Sequence, residues 1–152
     1  MEPYFDNGVV RLFQSDARVI PLADQTVHCV VTSPPYYGLR VYADNDERGI
    51  GVETSVEEYI VNMVDVFRDV WRVLRDDGVA WLNIGDSYGH GTSAPNKRNK
   101  RDGYDLGMSA LSVVDITRNG ESAGNRLGVP EQLVLALQSD GWTWRDTIIW
   151  HK

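Results

Sequence analysis

The spacing of apolar and polar positions changes several times along the 152 residues of this chain, and each change marks an element. Val9 to Gln14 (VVRLFQ) is short and rich in β-formers, and reads as a first strand closed by Ser15-Asp16. Leu22 to Gln25 is polar and ends a short helix or turn. Val27 to Thr32 (VHCVVT) is a second strand. Its nearly continuous apolar run predicts burial on both faces, as in a parallel sheet covered by helices. The strand stops at Ser33-Pro34-Pro35, because proline has no amide to donate to a central ladder. Tyr36 to Thr54 carries Gly38, Gly49 and Gly51 among charges and reads as a loop. Ser55 and Glu58 then stand at capping-box spacing, and Ile60, Met63, Val64, Phe67, Val70, Trp71 and Leu74 recur at steps of three and four. Gly78 is placed to end that helix, and Val79 to Ile84 (VAWLNI) forms the next strand, left through Gly85-Asp86-Ser87. About 88–127 the pattern is aperiodic, which predicts a long loop or insertion. Pro130 suits the first turn of a second helix, whose apolar side is Leu133, Ala136 and Leu137 and whose end is Gly141. Trp142 to Trp150 (WTWRDTIIW) alternates as a final strand. The succession predicts α/β layering with a largely parallel sheet in one domain.

Composition adds constraints. Hydrophobic residues are 42% and charged residues 24% of the chain, the balance of a globular protein with a core. The net charge of -7 disfavours a stand-alone nucleic-acid binder, since phosphate contacts need Lys and Arg. The run Lys97-Arg98-Asn99-Lys100-Arg101 fits either a strip that tracks phosphates or a solvated loop. The single cysteine, Cys29, cannot form an internal disulfide, fits a reducing compartment, and is expected in the core. Trp71 and Trp81 are expected there too. His28, His90 and His151 have no metal-ligand spacing. The first residues lack the basic and apolar regions of a signal peptide, and no apolar run approaches the ~20 residues of a membrane span. A cytoplasmic location and no membrane partner are expected.

The chemistry points to Thr32-Ser33-Pro34-Pro35-Tyr36-Tyr37-Gly38. In an open α/β sheet, ligands bind beyond the carboxyl ends of the strands, and this segment leaves one. The prolines stiffen the backbone and remove two amide donors, so the turn offers a hydroxyl and carbonyl oxygens beside the flat ring of Tyr36. Those groups suit an aromatic amine. An amine conjugated to a base ring is a poor nucleophile. If Ser33 and the Pro34 carbonyl accept its two N–H bonds, the nitrogen can pyramidalise and direct its lone pair at an electrophile. Tyr36 would stack on the base after its extrusion from the duplex.

TSPPYYGLR at Thr32 to Arg40 resembles the catalytic motif of the β-group DNA amino-methyltransferases of restriction–modification and phage systems. Ile50-Gly51-Val52-Glu53, Trp71-Arg72-Val73-Leu74, Asp77 to Ser87, Ala136 to Trp142 and Ile148 to Lys152 follow in the family's usual order. The resemblance implies a Rossmann-like methyltransferase fold, S-adenosylmethionine as methyl donor, and double-stranded DNA with a flipped base as substrate. Ser33 at the head of the motif resembles the cytosine-N4 enzymes, whereas adenine-N6 enzymes more often carry Asp there. The resemblance assigns Ser33, Pro34, Pro35 and Tyr36 to catalysis and Asp16 and Thr32 to the cofactor. Tyr37, Trp150, Lys97, Arg98, Lys100 and Arg101 are assigned to DNA. One departure stands out. The family's aromatic-x-Gly-x-Gly cofactor turn follows the catalytic motif and the target-recognition region, and the sequence ends before any such turn. The expectation is therefore an incomplete fold: the catalytic portion of a larger enzyme, a natural fragment, or half of a split enzyme whose other chain or segment carries the glycine turn. A non-catalytic remnant that binds DNA or a partner is the alternative of another class.

Overall fold

The structure is a computed structural model that describes residues 1–39, 49–89 and 125–151. The chain divides into two compact units, 1–34 with 61–84, and 35–60 with 85–152. Lys97, Arg98, Lys100 and Arg101, and most of the expected long loop, lie outside the described residues.

The first unit begins with a hairpin. Strands β1 (Phe5–Asp6) and β2 (Arg11–Leu12) pair antiparallel. Between them, Asp6 accepts the Gly8 amide at 2.8 Å and Asn7 accepts the amides of Val9 and Val10 at 3.0 and 2.7 Å. Gly8 has φ +81°, where a side chain would be strained. The expected strand over Val9 to Gln14 is thus corrected to the second arm of a small exposed hairpin. The turn-forming side chains of Asp6 and Asn7 decided it.

The strand at Val27–Thr32 is present where the sequence predicts it and is β3. It pairs parallel with β4 (Leu74–Leu82). Between them in sequence runs helix α1 (Val56–Val73). A parallel pair needs such a crossover, because a two-residue turn cannot reverse the chain twice. The register runs Cys29 to Val79, Val30 to Ala80, Val31 to Trp81 and Thr32 to Leu82. It jumps between Val27, opposite Leu74, and Cys29, so Arg75 to Gly78 bulge out of the ladder. Gly78 belongs to that bulge and not to the helix end. A Cβ there would meet Leu74 Cγ at 2.7 Å and the Arg75 carbonyl at 2.9 Å. The end of α1 is held instead by Arg72, which bonds Asp69 at 2.7 Å, Asp24 at 2.7 Å and the carbonyls of Leu22 and Ile20 at 2.9 and 2.8 Å.

Expected burial is corrected at several positions. Residues two apart on a strand share a face, and Cys29, Val31, Val79 and Trp81 share one. Cys29 is exposed, and Val31 and Trp81 are 78% and 54% exposed. Two strands alone do not cover both of their faces, so the prediction from β3's apolar run fails here. On α1 the buried stripe is Val56, Tyr59, Ile60, Met63, Val66, Phe67, Val70 and Val73. It is rotated from the expected one, so that Trp71 is exposed.

In the second unit the capping box is half as expected. The Ser55 hydroxyl accepts the Glu58 amide at 3.1 Å. The Glu58 carboxylate reaches one residue further back than the motif requires, accepting the amide and hydroxyl of Thr54 at 3.2 and 3.0 Å. Helix α2 (Val129–Ser139) carries Pro130 in its first turn and buries Leu133 and Leu137. It ends in a Schellman pair: the Gly141 amide donates to Gln138 at 3.1 Å and the Trp142 amide to Leu137 at 3.0 Å, with Gly141 at φ +112°. The segment from Trp142 to Trp150 is not a strand. No described strand offers it a ladder, and Ile148, Ile149 and Trp150 are 73%, 86% and 75% exposed. No helix among the described residues is long and apolar enough to cross a membrane. Ser55→Ala is expected to lower unfolding stability by about 1 kcal/mol, and Ser55→Asp to retain it. Chemical denaturation of the full-length protein measures both.

Candidate active site

The boundary between the units falls between Pro34 and Pro35. Ser33 is exposed and Pro34 half-buried at the end of the first unit, and Pro35 and Tyr36 are half-buried at the start of the second.

Pro34 and Pro35 carry no amide N–H, so this turn is short of backbone donors. The Pro35 carbonyl accepts the Tyr59 hydroxyl at 2.9 Å. The Tyr36 carbonyl accepts the Leu39 amide at 3.3 Å. The Tyr37 carbonyl accepts the Ser87 hydroxyl at 2.6 Å. Among the described residues, no hydrogen bond of this kind reaches the Pro34 carbonyl. Tyr59 is fully buried on the first turn of α1, and burial, with Glu53 and Tyr36 nearby, pushes its hydroxyl well above the ordinary tyrosine value. It therefore stays protonated and remains a donor.

Two glycines admit the turn. A Cβ on Gly51, which has φ +97°, would lie 3.0 Å from the Tyr36 carbonyl oxygen and 3.2 Å from Pro35 Cβ. A Cβ on Gly85 would lie 2.9 Å from Cε2 of the Tyr36 ring. Gly51 is fastened in turn: its amide donates to the buried Glu53 carboxylate at 2.7 Å, and its carbonyl accepts the Gly38 amide at 2.9 Å.

Asp86 and Ser87 leave β4 together and hold different things. Asp86 accepts the amides of Val129 at 2.9 Å and Gly128 at 3.1 Å, and the Arg126 guanidinium at 2.7 Å. Gly128, the residue before α2, has no side chain to cap that helix, so a carboxylate distant in sequence does so. Asp86 is thus a helix cap. Burial opposes its charge, but the Val129 amide, Arg126 and the Ser87 and Gly128 amides outweigh it and hold the carboxyl below its usual range.

The other expected residues fall as follows. Asp16 pairs with Arg18 through both oxygens, at 3.0 and 2.8 Å, and its side chain is 50% exposed. Thr32 ends β3, and its carbonyl accepts the Asn83 amide at 2.9 Å. Tyr37, expected at DNA, is only 1% exposed, and its ring lies against Tyr59 at 5.5 Å between centroids. Trp150 is exposed. Tyr59, Ser87, Glu53 and the two glycines were not singled out for roles by pattern. Tyr59 sits on the apolar face of α1, where a tyrosine reads as core, and only its hydroxyl's target reveals more.

A family profile described as DNA methylase matches residues 27–152. The Type II methyltransferase M.SmaI of Serratia marcescens is 44% identical over 93% of this chain and 47% of its own length. M.Cfr9I of Citrobacter freundii is 39% identical over 99% of the chain and 49% of its own length. M.XycI of Xanthomonas campestris pv. cyanopsidis is 40% identical over 93% and 46%. The chain thus spans about half the length of these relatives. No solved structure matches it.

Because the Asp86 carboxyl is held low, its contribution to stability is complete above the ordinary carboxylate value and is lost as pH falls through the depressed value. Asp86→Asn is expected to flatten that acid limb of the unfolding curve, checked by thermal denaturation in steps below about pH 5.

Proposed function

This chain belongs to the DNA methylase family, and from that premise we propose that the complete protein is a site-specific DNA methyltransferase acting on the exocyclic N4 of cytosine. Methyltransferases of this family use S-adenosylmethionine, whose sulfonium supplies the methyl group when bound. The names of the relatives, all Type II methyltransferases, support a restriction–modification setting and double-stranded DNA as partner. Ser33 at the head of the motif supports cytosine over adenine.

The observation that carries the residue roles is the carbonyl accounting. The carbonyls of Pro35, Tyr36 and Tyr37 accept bonds from Tyr59, Leu39 and Ser87. Among the described residues no such bond reaches the Pro34 carbonyl, which supports it as an acceptor for an incoming amine. In the proposed step it takes one N–H bond of the base amine and the Ser33 hydroxyl takes the other. With the donor bound, the nitrogen lone pair would take the methyl group, the S–C bonding pair would leave with the thioether sulfur, and the alkylated nitrogen would release its surplus proton to solvent. Tyr36 stacks on the extruded base and holds the amine at that height. Asp16 and Thr32 are proposed for the donor side, and Trp150, Lys97, Arg98, Lys100 and Arg101 for DNA.

The donor side is proposed to be completed by the rest of the protein, or by a second chain, carrying the aromatic-x-Gly-x-Gly turn that these 152 residues lack. The length of the relatives supports this, and so does the open apolar face of Cys29, Val31, Val79 and Trp81. A face of that kind is covered by further structure or by a partner.

In the full-length protein, Ser33→Ala and Tyr36→Ala are each expected to lower turnover by about 10²-fold or more with the fold intact. Wild-type turnover in both removes the assigned roles. Mass spectrometry of nucleosides from methylated DNA is expected to show N4-methylcytosine, and N6-methyladenine in its place selects the adenine reading. Calorimetry of the isolated chain with S-adenosylmethionine is expected to show weak or absent binding, and tight binding contradicts the incomplete donor site.

A further inference from the structure

We propose that Tyr59 and Ser87 are a pair of positioning residues that set the orientation of the Tyr36 ring by holding the backbone carbonyls on either side of it. The inference rests on the stacking role given to Tyr36 above and extends it to side chains that touch neither base nor donor.

Its geometry lies within the second unit. The Tyr59 hydroxyl holds the Pro35 carbonyl at 2.9 Å, and the Ser87 hydroxyl holds the Tyr37 carbonyl at 2.6 Å. The Pro35–Tyr36 peptide plane is thereby tied to α1 and the Tyr37–Gly38 plane to the segment after β4, while the plane between them, which carries the Tyr36 carbonyl, is held within the turn by the Leu39 amide at 3.3 Å. Peptide planes are rigid, so holding the planes at both ends of the Tyr36-Tyr37 pair, with the plane between them held by Leu39, restricts φ and ψ at Tyr36 and the direction in which its Cβ leaves. The ring is then confined from below: Gly85 has no Cβ, and a Cβ there would stand 2.9 Å from Cε2 and 3.2 Å from Cδ2 of Tyr36. Both anchors are buried. Tyr59 is fully buried against Tyr37, and Ser87 is buried beside Asp86, whose carboxylate accepts the Ser87 amide at 2.9 Å as well as two amides at the start of α2.

Orientation of this kind matters because a stacking platform has one useful height and tilt. Displacing a reacting group by about 1 Å costs about 10²-fold in rate. Neither hydroxyl takes part in the hydrogen bonding of a strand or a helix; each donates to a carbonyl of the turn.

The test is a set of double substitutions in the full-length protein. Tyr59→Phe and Ser87→Ala are each expected to lower kcat by roughly tenfold to a hundredfold, with KM for S-adenosylmethionine unchanged. In a Tyr36→Ala background the same two substitutions are expected to have no further effect on kcat, because the ring they orient is gone. A role limited to general stability predicts the same loss in both backgrounds, and that result overturns the inference. So do wild-type kcat values in both single variants. Gly85→Ala, which removes no hydrogen bond, is expected to behave like Tyr59→Phe by displacing the ring. DNA with 2-aminopurine at the target position gives a readout that does not need turnover. Its emission in complex with Tyr59→Phe or Ser87→Ala is expected to exceed that with wild type, since the extruded base is no longer quenched by the stacked ring, and equal emission counts against the inference. If Tyr36→Ala itself keeps wild-type turnover, the stacking role and this inference fall together. If Tyr36→Ala is impaired while Tyr59→Phe and Ser87→Ala are not, only this inference fails.

Discussion

Two adjacent prolines remove two amide donors from the backbone just where β3 ends, and much of the second unit answers that deficit. A buried carbonyl left without a donor costs about 1–3 kcal/mol, so donors must come from elsewhere. They come from the first turn of α1 through Tyr59, from the segment after β4 through Ser87, and from the turn itself through Leu39. Each donor brings its own element to the turn. The close approach is possible because Gly51 and Gly85 present no side chain to it.

Asp86 and Ser87 show how adjacent residues serve two demands. Ser87 completes the turn, while Asp86 supplies α2 with the cap its own Gly128 cannot provide. The start of α2 and the Tyr37 carbonyl are therefore referred to the same stretch of backbone. A helix N-terminus and a carboxylate attract each other through the exposed amides and the helix dipole, which explains why the carboxyl is held in its charged form although it is largely buried.

The first unit is organised differently. Its parallel pair is held by a regular ladder and by the multidentate Arg72 at the end of α1, but one apolar sheet face remains open. The sequence of β3 reads as a strand buried on both sides. The chain's relatives are about twice as long, and the proposed completion of the domain reconciles the pattern with the exposure. The same holds for Trp142 to Trp150, whose alternation is that of a strand although the described residues offer it no neighbour.

Local signals were legible in the sequence. The strand at Val27–Thr32, the capping serine of α1, Pro130 at the head of α2 and Gly141 at its end all express preferences that act over a few residues. The motif Thr32 to Tyr36, with its ordered companions, identified the family, because consecutive residues carry that information. Contacts between segments far apart in the chain were not legible. Nothing in the spacing of Tyr59 says that its hydroxyl meets the Pro35 carbonyl. Nothing local distinguishes Tyr37, which is buried, from Tyr36, which is half-buried beside it. Gly78 stands where a helix end is expected but belongs to a bulge, because the pairing of β4 with β3 takes precedence. The sequence by itself determined the chemistry available at the turn: a hydroxyl, a stiff donor-poor backbone and a ring. Only the tertiary structure decided which carbonyls are already occupied and how the ring is held, because those depend on donors that folding brings from tens of residues away.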